Sequence, residues 1–210
     1  MKAKHLVLFF MLCSIAFSCK HKKLRKGQVP PGICCLSGGT NVRLANGKDI
    51  FIENLKAGDT VLAFNKTTER FVPAKVLKTF STEHAGFVKM NFKNLMRNGV
   101  EVYPATSIIV SEDHPIWVQK KGWCSTQPAM TQRVLMMKDV KQIAAGDVCY
   151  TNKDGSMDGR AGDVTLQSIE KVKGIVKAYT IVKLENEMDC FIANGVVVGT
   201  EGISMQEGGD

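Results

Sequence analysis

The sequence predicts an all-β fold made of two related halves, and three observations carry that prediction. From Val42 onward, short apolar runs alternate with turn signals, the pattern of successive short strands. No long stretch carries a helical period. Finally, Leu55-Lys-Ala-Gly58-Asp59-Thr-Val61 recurs as Ile143-Ala-Ala-Gly146-Asp147-Val148-Cys149, 88 residues later, and each copy precedes a strand and then β-rich sequence. Two β halves that clasp each other around a pseudo-twofold axis remove exposed sheet edges.

The chain has 210 residues, 44% hydrophobic and 23% charged, enough for one globular domain plus a tail. Lys2 and Lys4 precede an apolar run from Leu6 to Phe17 that is too short to span a bilayer comfortably. The run ends in Ala16-Phe17-Ser18-Cys19, which resembles a bacterial lipoprotein signal (residues 1–18) with Cys19 as the acylated residue; a plain secretory signal is the alternative. A lipid at Cys19 and the Lys/Arg cluster at 20–26 would supply two membrane signals, which anchor better than one. The expectation is an exported protein of the bacterial cell envelope, lipid-anchored to the membrane. Residues 19–33, basic and then rich in Pro and Gly, cannot build a core and are expected to be an extended linker.

The formal charge of +8 is local. Seven of the 28 basic residues fall in the first 26 positions, leaving 21 basic against 20 acidic side chains in the rest. The body therefore lacks an electrostatic footprint for phosphate backbones, and no nucleic-acid partner is expected.

Asn46-Gly47 sits between Val42–Leu44 and Ile50–Ile52, a hairpin signal. Further strands are expected at Thr60–Phe64, Phe71–Phe80, Gly86–Phe92, Val100–Tyr103, Ser107–Ser111 and Ile116–Val118. The second half should contain Asp147–Tyr150, Val164–Ile175, Tyr179–Glu185, Cys190–Ile192 and Val196–Val198. Thr131–Ile143 has room for one short turn of helix, and Lys153–Gly162, rich in Gly and Asp, is expected to be a loop. Asp59 and Asp147 are expected to cap turns. His84 is expected in a solvated loop, Trp117 and Trp123 in packing, Lys120-Lys121 in a solvated turn, Met136-Met137 as apolar gap-fillers and Asn194-Gly195 as a turn.

Cys34, Cys35, Cys124, Cys149 and Cys190 follow the linker; their odd number leaves at least one thiol free, and none has the spacing of a zinc site. The chemistry-bearing stretches are Cys35-Leu-Ser-Gly-Gly-Thr40 and Ser111-Glu-Asp-His114-Pro115. A thiol at the head of a Gly-Gly turn, with hydroxyl and imidazole three residues apart elsewhere, suits attack on a peptide carbonyl. The carbonyl nearest to Cys35 is that of Cys34.

With these stretches, Ile52-Glu53-Asn-Leu55, Gly122-Trp123, Ala178-Tyr179-Thr180-Ile181 and Phe191-Ile-Ala193-Asn194-Gly195 follow in order, and residues 34–200 resemble the Hint superfamily, the self-processing module of inteins and Hedgehog C-terminal domains. The resemblance implies a pseudo-twofold fold with long curved strands and a short tail at 201–210. It also implies that Cys35 attacks the Cys34 carbonyl, turning the Cys34–Cys35 amide into a thioester, and that His114 hydrogen-bonds and then protonates the departing nitrogen. Ser111 stands where the family has Thr, to hold the amide or stabilise the oxyanion; losing an oxyanion donor costs about 3–4 kcal/mol. Ser keeps the hydroxyl but not the methyl that restricts its rotamer, so slower chemistry is expected. The substrate is the chain itself, the acyl acceptor water or a small nucleophile, and no cofactor or metal is implied.

Departures from the family bound the activity. Inteins end in Val-His-Asn, matched here by Val198-Gly199-Thr200, so no Asn is present to cyclise and the C-terminal splicing step is expected to be lost. Thr180 replaces the family's acidic residue after the last Tyr, and Asp189 replaces a His often found near Phe191. Asp113, Thr180 and Asp189 remain candidates for supporting Cys35 and His114. Cys34 is expected to be a linker residue that supplies the scissile carbonyl. Two other readings stay open: a degenerate, non-catalytic Hint-fold lipoprotein with a binding role, and a thiol hydrolase acting in trans through Cys35 and His114. The latter needs an open groove and an orienter for the imidazole.

Overall fold

Antiparallel hairpins joined by tight, Gly-containing turns build most of this protein. The structure, a computed structural model, describes residues 34–93, 95–97, 100–103, 106–152 and 161–201. The expected signal segment and basic linker, positions 153–160 of the expected loop and the tail beyond Glu201 lie outside the described residues. In chain order the elements are β1 (Leu36–Ser37), β2 (Asn41–Arg43), β3 (Asp49–Phe51), β4 (Thr60–Asn65), β5 (Arg70–His84), β6 (Phe87–Phe92), β7 (Leu95–Arg97), β8 (Val100–Tyr103) and β9 (Thr106–Ser111). Then come β10 (Ile116–Val118), β11 (Gly122–Ser125), helix α1 (Pro128–Leu135), β12 (Lys141–Gln142), β13 (Val148–Thr151), β14 (Gly162–Val172), β15 (Val176–Leu184), β16 (Cys190–Ala193) and β17 (Val196–Gly199).

The expected internal repeat is visible atom by atom. In the first copy, Gly58 N donates to Val76 O and Val76 N to Asp59 O, both at 2.8 Å; Lys56 N reaches the Asp59 carboxylate at 2.8 Å. In the second, Gly146 N donates to Leu166 O and Leu166 N to Asp147 O, again at 2.8 Å, and Ala144 N reaches the Asp147 carboxylate at 2.9 Å. Gly58 and Gly146 take matching φ values of 98° and 95°, a left-handed region that costs other residues strain. Both aspartates therefore cap turns, as expected from their position before a strand.

Each turn launches a hairpin, β4–β5 in one half and β13–β14 in the other. The strand that follows each hairpin crosses over: β6, which follows β5, pairs with β14, and β15, which follows β14, pairs with β5. The halves are thus clasped by exchange. From β17 through β13, β14, β6, β9, β1, β15, β5 and β4 to β16, every neighbour is hydrogen-bonded, and β16 pairs back with β17. The ring closes at two junctions, β9–β1 and β16–β17, and closure hides the edges that open sheets expose. Pro73 in β5 lies ahead of Val76, where the β15 ladder begins, so one side of the strand is locally an edge and tolerates a missing N–H.

The core fills the ring with Leu36, Val61, Met90, Val110, Ile181 and Val198, among others, each inaccessible to solvent. The Asn194-Gly195 turn, with positive φ at both residues, also fastens the halves. Asn194 accepts from Asn41 N through its side-chain oxygen at 2.8 Å and donates to Ser107 O at 2.8 Å.

Several expectations need correction. β1, β7, β11 and β12 are short strands that sequence patterning does not reveal, because two to four residues carry too little alternation to read. The short helix expected within Thr131–Ile143 is present over Thr131–Leu135 but begins earlier, at Pro128, whose fixed φ suits a first turn, and stops before Met136 at φ 50°. Met136 fills no gap: it is 72% exposed. His84 is not in a loop; it ends β5 and packs against Phe87 at a centroid distance of 4.6 Å. Lys121 is not simply solvated but pairs with Asp147 at 2.6 Å. Trp117 and Trp123 do pack edge to face at 5.1 Å, with the Lys66 ammonium over both rings.

Candidate functional site

The expected nucleophile sits at the β9–β1 junction, where the two halves meet. The Cys35 carbonyl accepts from Ser111 N at 2.9 Å, and Cys35 N–H donates to Ser111 Oγ at 3.1 Å. The same Ser111 carbonyl takes His114 N–H at 2.9 Å, so residues 111–114 form a turn that carries the hydroxyl and the imidazole to one place. Leu36 pairs with Val110 on one side and Tyr179 on the other, which fixes where Cys35 begins the ladder.

The site is closed. Cys34, Cys35 and His114 are each 0% exposed, Ser111 1% and Asp113 4%. Cys34 therefore corrects the expectation of a linker residue: it is interior, and its thiol donates to Asp113 O at 3.4 Å. The Asp113 carbonyl also accepts from Thr131 Oγ1 of α1 at 2.7 Å, and Ser125 Oγ lies 2.7 Å from that hydroxyl. Short helix α1 thus buttresses the turn that holds Ser111 and His114.

Burial sets the electrostatics. The Cys35 thiol is held well above its ordinary range, first by desolvation and then by the negative charges of Glu201 and Asp113. The Cys34 thiol is raised for the same reasons, with Asp113 acting ahead of Glu201. Desolvation pushes His114 down to about 3, opposed by the backbone of Cys34 and of Gly199. A backbone group that favours imidazolium is an acceptor, so the ring lies beside the carbonyls of Cys34 and Gly199. Neither ring nitrogen completes a hydrogen bond of normal geometry. At neutral pH the arrangement is an uncharged imidazole beside the Cys34 carbonyl, a hydroxyl on the Cys35 amide and a neutral Cys35 thiol packed with Phe87 and Ala178.

The other expected residues divide. Thr180 follows Tyr179 in β15, so in the β1–β15 register it stands opposite Cys35; it is 1% exposed. Asp113 lies in the cluster but gives the imidazole no hydrogen bond. Asp189 is drawn elsewhere: its carboxylate pairs with Lys66, while its carbonyl accepts Thr200 N at 2.8 Å. Neither aspartate hydrogen-bonds His114, and among the described residues Cys35 lines no open groove of the kind a hydrolase acting in trans needs.

Two residues of this site escape sequence reasoning. Glu53 receives Gly39 N at 2.9 and 3.1 Å and so fastens the Gly38-Gly39 turn that follows Cys35. Glu201, assigned by sequence to the tail, is only 4% exposed, and its N–H donates to Ile181 O at 3.1 Å. The one sequence signal for it is the apolar run Val196–Val198, whose strand carries the chain inward.

Gly199 has a steric reason. A Cβ there would meet Pro115 Cγ at 2.6 Å, and Gly199 N already donates to Pro115 O at 2.8 Å. The Pro115 ring occupies the space that a larger residue at this position, such as the His of the intein ending, would need. Gly199→Ala is expected to cost about 1–3 kcal/mol by overpacking, read as a lower urea midpoint at unchanged slope. Ser111→Ala leaves the buried Cys35 N–H without its acceptor; it is expected to destabilise by about 1–3 kcal/mol, while Ser111→Thr restores the midpoint in the same titration.

The fold is of the Hint type seen in inteins. Over 80% of its length the chain superposes on all of a bacterial intein-like domain from Clostridium thermocellum, at 21% identity and TM-score 0.56. The DnaB intein of Synechocystis matches 80% of the chain and 99% of its own length at 17% identity and TM-score 0.58, and the DnaX mini-intein of Spirulina platensis 79% and 99% at 19% and 0.57. At such identities the likeness establishes the fold. Residues 36–154, more than half of the chain, match the profile of the Ataxin-1 and HBP1 module (AXH), and the chain belongs to that family. The matched span starts just after Cys35 and ends before β14, so it contains Ser111 and His114 but neither Cys35 nor Glu201. No curated protein sequence matches the chain significantly.

Proposed function

We propose that this is a self-processing domain that cuts its own chain between Cys34 and Cys35. The observation that carries the reading is the Cys35 N–H held at 3.1 Å by Ser111 Oγ, with the His114 ring beside the Cys34 carbonyl across the same amide. The Cys35 sulfur attacks the Cys34 carbonyl carbon. The C–N bond breaks, the C–S bond of a thioester forms, and the thiol's proton ends on the freed Cys35 amine. His114, neutral at physiological pH, serves the developing oxyanion as a hydrogen-bond donor, a role that preorganised donors fill strongly in a dry site. Water or a small nucleophile then resolves the thioester.

The intein-like fold supports this reading. The missing Asn at Thr200 and the Pro115 ring against Gly199 support an N-terminal step without splicing. Scission would part the lipid-bearing peptide 19–34 from the β domain and release that domain from the envelope. Intact mass of the full chain, followed over hours with and without dithiothreitol, tests this. A thiol-accelerated pair of fragments joined at Cys34 and Cys35 is expected; a chain that stays whole under both conditions refutes it.

A further inference from the structure

The self-cleavage reading leaves one step without a group to perform it. The Cys35 thiol is neutral and fully buried, so its attack needs a proton acceptor. Uncharged His114 sits beside two carbonyls and is pushed too low in basicity to serve near neutral pH. Two carboxyl groups share the enclosure. Asp113 comes from the turn between β9 and β10 and acts more strongly on Cys34 than Glu201 does; Glu201, which follows Thr200 at the end of β17, acts more strongly on Cys35 than Asp113 does. Glu201 is held in place by its backbone bond to Ile181 of β15, the strand that also flanks β1. Its Oε2 is buried and has no hydrogen-bond partner among the described residues.

We propose that Glu201 is the proton carrier of the reaction, taking the proton from the Cys35 thiol and returning it to the departing Cys35 nitrogen. This inference rests on the self-cleavage reading above. The step balances within the chain. As the S–C bond forms at the Cys34 carbonyl, the proton passes from Sγ to the Glu201 carboxylate. As the C–N bond breaks, the same proton passes from the carboxyl group to the amine, and Glu201 ends as it began. An unpartnered carboxyl oxygen deep in a domain otherwise costs stability without return, which a proton-transfer role accounts for.

The charged and titratable groups that face Glu201 are Asp113 from the β9–β10 turn, Lys78 from β5, and the thiols of Cys34 and Cys35. Desolvation and Asp113 together hold its carboxyl up at about 7, against the pull of Lys78. Such a group divides its time between acid and base at neutral pH, which is what a shuttle of one proton requires.

The test is the rate of hydroxylamine-dependent scission of the full chain between pH 5 and 9, compared with Glu201→Gln, Glu201→Asp and Asp113→Asn. Glu201→Gln is expected to lose roughly 10²-fold or more in rate and the inflection near pH 7, with Glu201→Asp recovering part of both. Asp113→Asn, which removes the carboxylate that raises Glu201, is expected to move the inflection to lower pH without erasing it. Gln copies the shape of protonated Glu, and equal urea midpoints below about pH 4.5, where Glu201 is protonated in both folded and unfolded chains, would show that Glu201→Gln still folds. If Glu201→Gln cleaves at the parent rate with the parent profile, the Glu201 assignment falls while self-cleavage stands. If the parent chain never cleaves, both fall.

Discussion

Cys35→Ala is expected to abolish scission between Cys34 and Cys35, a loss of at least roughly 10³-fold, while leaving the domain folded. Among the described residues no other thiol is placed to substitute. Cys34 Sγ points to Asp113 O, Cys190 Sγ to Phe64 O, and Cys124 and Cys149 lie in the core of the second half. The side chain lost is small; it packs with Phe87 and Ala178, so truncation should cost about 1–2 kcal/mol, within reach of a urea titration. Time-resolved intact mass checks the expectation, with circular dichroism to verify folding. Fragments accumulating from Cys35→Ala at the parent rate would remove the nucleophile from the account.

His114→Ala is expected to produce the second large effect, and it is best read through pH. In the folded domain His114 is pushed from 6.5 to about 3, so between those values the unfolded chain binds a proton that the folded one refuses. Its contribution is complete above 6.5 and is lost as pH falls toward 3, at up to ~1.4 kcal/mol per pH unit. Glu201 acts in the opposite sense. Raised from 4.5 to about 7, it keeps a proton in the folded state that the unfolded chain has released, so stability falls as pH rises across that window.

Where the windows overlap, from 4.5 to 6.5, the two slopes cancel and the parent should be nearly insensitive to pH with respect to these groups. His114→Ala should lower stability by about 2–4 kcal/mol at pH 7 through the cavity it leaves, and should turn the flat region into a decline with rising pH. Glu201→Gln should reveal the opposite, rising limb. Urea unfolding at half-unit steps from pH 4.5 to 7.5 measures all three. Parallel curves for the parent and His114→Ala would contradict the burial of a neutral imidazole.

The parts of this fold that were legible in the sequence are those with local signals. Gly58-Asp59 and Gly146-Asp147 announce themselves because a positive φ and a carboxylate cap are properties of three or four adjacent residues. Asn194-Gly195 is readable for the same reason. Ser111 and His114 can be placed together because their spacing builds a single turn. The exchange of β6 and β15 between halves has no local signature, since pairing partners lie far apart in sequence, as with Phe87 and Val172 or Leu184 and Val76. Short β1, on which the placement of Cys35 depends, is a strand only because β9 and β15 flank it. Glu201 and Cys34 were hidden by their surroundings: a polar or Pro/Gly-rich neighbourhood suggests solvent, while the ends of β17 and β1 draw both residues into the interior.

The central claim is an acyl bond between the Cys34 carbonyl and the Cys35 sulfur, and chemical capture tests it most directly. Incubating the full chain with hydroxylamine and sequencing the products by fragmentation should yield a peptide ending in a Cys34 hydroxamate and a domain beginning with the free amine of Cys35. An uncut chain, or the same cut in Cys35→Ala, would show that no such bond forms.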